Sequence, residues 1–143
     1  MKRALLDINV LIALLDLDHA HHRSARGWLQ REVASGWASC PLTENGCVRI
    51  MSQPRYPNPV PTGEVIKRLQ DAAATSHHEF WSDDLTILDQ TLVDSARIHG
   101  PKQVTDVYLL ALAVEHSGRF VTFDGAFPLS AVRGARKDHL SVI

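Results

Sequence analysis

The chain opens on an apolar run broken by a single carboxylate: Arg3-Ala4-Leu5-Leu6-Asp7-Ile8-Asn9-Val10-Leu11-Ile12-Ala13-Leu14-Leu15. A charge among such side chains is costly unless something compensates it. Read as a strand (Ala4–Leu6) followed closely by a helix (Val10–Leu15), the run puts Asp7 at the carboxyl end of the strand. Open α/β sheets bind their ligands at that end. The rest of the chain must then supply partners for Asp7.

The remaining pattern alternates strands and helices. Ala25, Trp28, Leu29 and Val33 recur at helical spacing across His19–Ala34. Ser35-Gly36 stops that helix, and Trp37–Cys40 reads as a second strand. Pro41 opens a turn or helix over Leu42–Ser52. Four prolines exclude regular structure from Gln53–Pro61. Glu64–Ala74 is a predicted helix with Val65, Ile66, Leu69, Ala72 and Ala73 on one face. His78–Trp81 is a strand candidate, and Ile87–Ile98 is a predicted helix with Leu88, Leu92 and Ala96 in register. Gly100-Pro101 breaks that helix. Thr105 reads as the N-cap of a helix Asp106–His116 that is apolar almost all round, the mark of a buried helix. Arg119–Phe123 is a strand ending at Asp124-Gly125, and Leu140–Ile143 a last edge strand. Such alternation favours a parallel sheet with helices on both faces.

The bulk properties narrow the possibilities. At 143 residues and 45% hydrophobic, the chain is expected to be one domain, 1–143, with a real core. A formal charge of −1 lacks the basic excess common in nucleic-acid binders. Such a role then requires acids gathered in a site and bases gathered elsewhere. Two cysteines, Cys40 and Cys47, make neither a disulfide scaffold nor a zinc pattern. No signal peptide and no membrane-length apolar run is expected, which suits a cytoplasmic protein with reduced thiols.

Three acids share one local context. Asp7 follows the first strand, Asp124 follows Phe120–Phe123, and Asp106 opens the buried helix. Glu44 lies four residues past the second strand. Convergence of all four at the strand ends would make them repel one another and raise their pKa values. A hard divalent cation relieves that, and an oxygen-only donor set suits Mg²⁺ or Mn²⁺. Such ions neutralise a phosphodiester and activate a bound water, with no side-chain nucleophile. Asn9, Thr105 and Thr122 are candidate supports that orient a carboxylate or a water. Each acid also has a plain reading: a helix-dipole aspartate at 106, a turn at Asp124-Gly125, an ordinary helix glutamate at 44. Asp7 is the hardest to dismiss, and the ordered set favours a site.

The residues Leu5-Leu6-Asp7-Ile8-Asn9-Val10-Leu11-Ile12, Thr43-Glu44, Val104-Thr105-Asp106 with Tyr108–Ala113, and Val121-Thr122-Phe123-Asp124 together resemble a PIN domain. More narrowly, the chain is similar to VapC-type toxins of bacterial toxin–antitoxin pairs, over nearly its whole length. The resemblance implies a three-layer α/β/α fold around a mostly parallel sheet of four to five strands. It also implies a Mg²⁺- or Mn²⁺-dependent endoribonuclease acting on tRNA or ribosomal RNA. The implied partners are the RNA, a second copy of the chain as a homodimer, and a VapB-type antitoxin that blocks the acidic site. Asp7, Glu44, Asp106 and Asp124 match the four family acids, with Asp7, Asp106 and Asp124 as metal ligands, and Asn9 matches the polar support of the first acid. Residue 8 is Ile where PIN domains commonly carry Thr or Ser, so it is left only a packing role.

Other features are weaker. Arg23, Arg26, Arg49 and Arg55 are candidate RNA contacts, with Arg31, Arg133, Arg136 and Lys137 further possible phosphate contacts; a solvated surface is the alternative for each. The His19, His21, His22 cluster reads as a solvated helix start rather than a metal pair, and Asp83-Asp84 as a cap or loop. Tyr56 or Trp81 could stack a base or simply pack. A catalytically silent PIN-like RNA- or protein-binding module is the competing reading, and retention of all four acids speaks against it. A phospho-accepting receiver domain wants adjacent acids after the first strand and a late Lys. An Asp-x-Asp phosphatase wants an acid where Asn9 stands.

Overall fold

Period-two alternation in the strands decides which side of the sheet each residue serves. In β1 (Ala4–Leu6), Leu5 points to one core, while Ala4 and Leu6 point to the other. In β4 (Arg119–Thr122), Phe120 joins Leu5, and Val121 joins Ala4 and Leu6. The computed structural model describes residues 2–143. With β2 (Trp37–Ser39), β3 (His78–Phe80) and β5 (Leu140–Val142), these strands form a five-stranded sheet in the order β3-β2-β1-β4-β5. Every pairing is parallel.

The helices follow from that order. Between β1 and β3 the chain steps outward in one direction through α1 (Ile8–Leu15), α2 (His22–Glu32), α3 (Pro41–Ser52) and α4 (Thr62–Ala73). It then jumps back across β1 and reaches β4 through α5 (Val104–Glu115). Right-handed crossovers running in opposite directions place their helices on opposite faces. The two cores agree. Val10, Leu11 and Ile12 of α1, Trp28 of α2, Cys47 and Met51 of α3 and Val65 of α4 pack on the Leu6 side. Val107, Leu109, Leu110 and Leu112 of α5 pack on the Leu5 side. The three-layer expectation holds, with the sheet wholly parallel. No helix among the described residues is long and apolar enough to cross a membrane.

Strand order reverses at the β1–β4 boundary. The parallel pairing there continues past β1, where the Asp7 N–H donates to the Val121 carbonyl at 2.9 Å. A crevice at such a switch point is where open α/β sheets hold ligands.

Two local expectations are corrected. Ile87–Ile98 is not a helix; it holds turns and a single 3₁₀ turn at Ser95–Arg97. Its own polar side chains take the backbone donors: the Asp89 carboxylate accepts from Thr91 N–H, Asp94 from Ala96 N–H, and the Thr86 hydroxyl from Leu88 N–H. Side chains of this kind compete with the helical ladder. Thr105 is not the N-cap of α5. A 3₁₀ turn, Pro101–Gln103, runs straight into the helix, so Gln103 is the cap and Thr105 lies within the first turn.

Candidate active site

Asp7 directly follows β1 and is the N-cap of α1, which begins one residue after it. The strand-to-helix switch therefore needs no loop, and it fixes the carboxylate tightly. Oδ1 accepts from the Ile8 N–H at 2.8 Å, and Oδ2 accepts from the Thr122 hydroxyl at 2.7 Å. Only 7% of the residue is exposed. Burial pushes the carboxyl pKa up, the two hydrogen bonds pull it back, and the charge of Asp124 raises it again. Asn9 is exposed and is neither of the two groups that hold Asp7.

Thr122 ends β4 and ties the neighbouring acid to Asp7. Its oxygen donates to Asp7 and accepts from the Asp124 N–H at 3.1 Å. Asp124 Oδ1 in turn accepts from the Ala126 N–H at 2.9 Å, and Gln103 Nε2 donates to the Ala126 carbonyl at 3.1 Å. That last bond closes the turn after β4 onto the start of α5. Asp106, in the first turn of α5, thereby meets the other two: its carboxyl is pushed up to about 6, first by burial, then by the charges of Asp7 and Asp124. Asp106 and Asp124 line a cleft of about 440 Å³ with His99, Lys102 and Gln103. Sequence reading missed Lys102, a cation beside the acids; it carries no periodicity or motif to mark it.

Glu44 stands apart from this trio. It sits in the first turn of α3, past the end of β2, and is not among the charges acting on Asp7 or Asp106. Its Oε2 accepts from the Ser39 hydroxyl at 2.6 Å, and the same Ser39 oxygen lies 2.8 Å from His78 Nε2. The structure therefore gathers three of the four acids and holds the fourth on the same rim by a separate network. A Cβ added at Gly46 would lie 2.5 Å from Ile8 Cδ1, so α1 and α3 meet in close contact there. Packing is the role left to residue 8. Ser39 and His78 were also missed; the one available signal was a hydroxyl closing an otherwise apolar, fully buried strand.

No ion pair involves Asp7, Glu44, Asp106 or Asp124 among the described residues. Nor do any three His, Cys, Asp or Glu groups there stand close enough to close a cation cage unaided. Mg²⁺ fits such an open arrangement, since it keeps several waters and takes only one or two carboxylates plus substrate phosphate.

The other candidates are scattered. Thr105 is exposed and borders a different cavity, with Leu42, Ile87 and Tyr108, rather than the acids. Arg49 borders a cavity of about 610 Å³ between α3 and α4 that Glu44 also lines. Arg23 and Arg26 lie exposed on α2, and Arg26 borders a groove reaching Trp37 and His77, which open β2 and precede β3. Arg55 is exposed in the proline-rich loop. His22 Nδ1 is 2.7 Å from the Ala13 carbonyl and His19 Nδ1 accepts from the His21 N–H, so these rings serve the α1–α2 turn. Asp83 caps α3 through Leu42 N–H, and Tyr56 donates its hydroxyl to Asp16. Trp81 is buried and stacks on His116 at 4.3 Å.

A parallel sheet with acids at its switch point and on the neighbouring helix start is the build of a PIN domain. The PIN domain profile matches residues 4–132, and the chain belongs to that family. Its relatives are VapC proteins. Over 141 residues it is 56% identical to Ribonuclease VapC44 of Mycobacterium tuberculosis, covering 99% of each chain. It is 44% identical to Ribonuclease VapC39 of the same organism over 133 residues, covering 92% of this chain and 95% of that one. A chain from the crystal structure of VapBC2 from Rickettsia felis, bound to a DNA fragment from their promoter, superposes with a TM-score of 0.55. It covers 85% of this chain and 87% of that one at 14% identity, a likeness of fold.

Proposed function

We propose that this chain is the toxin of a VapBC-type pair, a Mg²⁺- or Mn²⁺-dependent endoribonuclease that hydrolyses phosphodiesters of tRNA or ribosomal RNA with water. The observation that carries the reading is the trio at the switch point. The charges of Asp7 and Asp124 raise the proton affinity of Asp106, and that of Asp124 raises the proton affinity of Asp7, yet none of the three has an ion-pair partner among the described residues. Mutual repulsion left uncompensated inside a protein calls for a cation. Their oxygen-only donor set matches a hard ion, and relatives named ribonucleases support the chemistry.

Asp7, Asp106 and Asp124 would hold the ion together with water and substrate phosphate. When bound, the ion supplies charge neutralisation at the phosphodiester and a bound water of lowered pKa. Thr122 keeps Asp7 ionisable by donating to it and fixes the turn carrying Asp124. Glu44 faces the substrate from the neighbouring strand end, where it orients water or a phosphate-bound group. Asn9 and Thr105, both exposed near helix starts, offer polar contacts to RNA. Arg49, beside Glu44, and Arg23, Arg26 and Arg55 contact phosphates farther along the strand. The toxin works in the cytoplasm as a homodimer, and a VapB-type antitoxin restrains it by covering the acidic cleft.

The test is cleavage of purified tRNA and ribosomal RNA by the isolated protein, with end mapping. Activity should require Mg²⁺ or Mn²⁺ and vanish in Asp7→Asn, while circular dichroism shows an intact fold. Full cleavage in EDTA refutes the reading.

A further inference from the structure

Glu44 carries a long side chain, and holding such a chain in one rotamer costs conformational entropy. A site that uses it needs something to fix it. The structure supplies two residues from neighbouring strands. Ser39, 2% exposed at the end of β2, donates its hydroxyl to Glu44 Oε2 at 2.6 Å. His78, at the start of β3, places Nε2 2.8 Å from the same hydroxyl oxygen.

Proton counting fixes the direction. A serine hydroxyl has one proton. Since it goes to the Glu44 carboxylate, the contact with His78 is a hydrogen bond only when Nε2 carries a proton and donates. The surroundings set the ring's charge. Burial pushes the His78 pKa below its ordinary value, and Arg3, ahead of β1, pushes the same way. Glu44 of α3, the Ala73 carbonyl of α4 and Glu79 of β3 pull it up, and burial prevails. The Trp37 ring of β2 closes the remaining side at 4.4 Å. Burial thus favours the uncharged ring, and the single Ser39 proton, given to Glu44, requires the ring proton on Nε2 for the Ser39 contact to be a hydrogen bond.

We infer that Ser39 and His78 are positioning residues for Glu44: a one-directional relay, His78 Nε2–H to Ser39 Oγ–H to Glu44 Oε2, occupies one carboxylate oxygen and presents the other to the substrate. This rests on the nuclease reading above and adds two residues to its machinery. The relay also explains how Glu44 reaches a defined position without the charge contacts that tie Asp7, Asp106 and Asp124 together.

Two measurements test it. Nitrogen-15 NMR of the histidine rings in the protein alone, without metal or RNA, should show His78 as the Nε2–H tautomer at pH 7; an Nδ1–H tautomer overturns the relay. Single-turnover cleavage of purified tRNA and ribosomal RNA in Mg²⁺ is the second. Ser39→Ala and His78→Leu should each slow it by roughly tenfold to a hundredfold, the scale of a misplaced group. The half-saturating RNA concentration should change less than twofold. His78→Gln, whose amide N–H can stand where Nε2–H does, should recover most of the rate. In a Glu44→Gln background, Ser39→Ala should cost no more than about twofold further. Equal losses from Ser39→Ala with and without Glu44 would mean a merely structural role and overturn the proposal. Asp106→Asn separates the two failures: if it cleaves like wild type, the nuclease reading falls, whereas the NMR result judges the relay on its own.

Discussion

Replacing Asp106 by Asn should make the metal-free protein more stable while removing its activity. In the folded chain the Asp106 carboxyl is raised from its ordinary 3.8 to about 6 by burial and by Asp7 and Asp124. At about 1.4 kcal/mol per pKa unit, that is a penalty of up to ~3 kcal/mol on the ionised folded state. Asp106 is only partly buried, so solvent screening reduces it to about 1–2 kcal/mol. The sign follows from linkage. Below the unfolded pKa near 4, both states hold the proton and no penalty exists. As pH rises toward 6 the unfolded chain loses the proton first, and stability falls; above about 6 the full penalty remains. The gain from Asp106→Asn should therefore be largest at pH 7–8 and vanish below about pH 4. For a chain of this size it amounts to a rise in Tm of about 3–8 °C. Urea unfolding and calorimetry at pH 4, 6 and 8 in EDTA read it directly. Millimolar Mn²⁺ should then raise the Tm of the wild type more than that of the variant, since only the wild type keeps the full acid trio. If Asn at 106 destabilises the chain at pH 8, or gives a gain independent of pH, the acids are not in the repulsive contact on which the proposed site depends.

Other outcomes follow from the same geometry. Thr122→Val removes the hydroxyl that lowers the Asp7 pKa, so the acid limb of the pH–rate profile should move to higher pH, and Thr122→Ser should return it. Lys102→Gln, tested in the Asp106→Asn protein by fluorescence anisotropy on a single-stranded RNA, should weaken binding. It should also flatten the dependence of log Kd on log salt by about 0.7, one phosphate contact. Gly46→Ala puts a methyl 2.5 Å from Ile8 Cδ1 and should cost about 1–3 kcal/mol in urea unfolding, with Ile8→Val restoring most of it by deleting the clashing carbon.

What could be read from the sequence divides along physical lines. Asp7 was legible because a carboxylate inside an apolar strand has few bland explanations, and its position one residue before a helix follows from the same pattern. The β-α alternation was legible for the same reason: periodicity records burial, and burial sets the layers. Ile87–Ile98 was misread because its apolar spacing is helical, while Thr86, Asp89 and Asp94 bond to their own backbone, a competition that hydrophobic pattern does not register. Thr105 failed as a cap because Pro101 had already turned the chain into helical geometry. Neither error moved an acid.

The largest gap concerns Glu44, and its cause is geometric. Asp7 and Asp124 are carried rigidly, since short side chains at the ends of adjacent parallel strands go where the backbone puts them. Asp106 is held the same way by the first turn of a buried helix. A strand-end motif in the sequence therefore predicts where these three meet. Glu44 is different: one more rotatable bond and a helix of its own leave its carboxylate free to reach several places. Its position is decided by Ser39 and His78, which are distant in the chain and pair only because β2 and β3 lie side by side in register. Short acids at strand ends report a site directly, whereas a long one reports it only once its partners are known. For that reason the relay, more than the acid it holds, is the part of this site that becomes visible only in the folded chain.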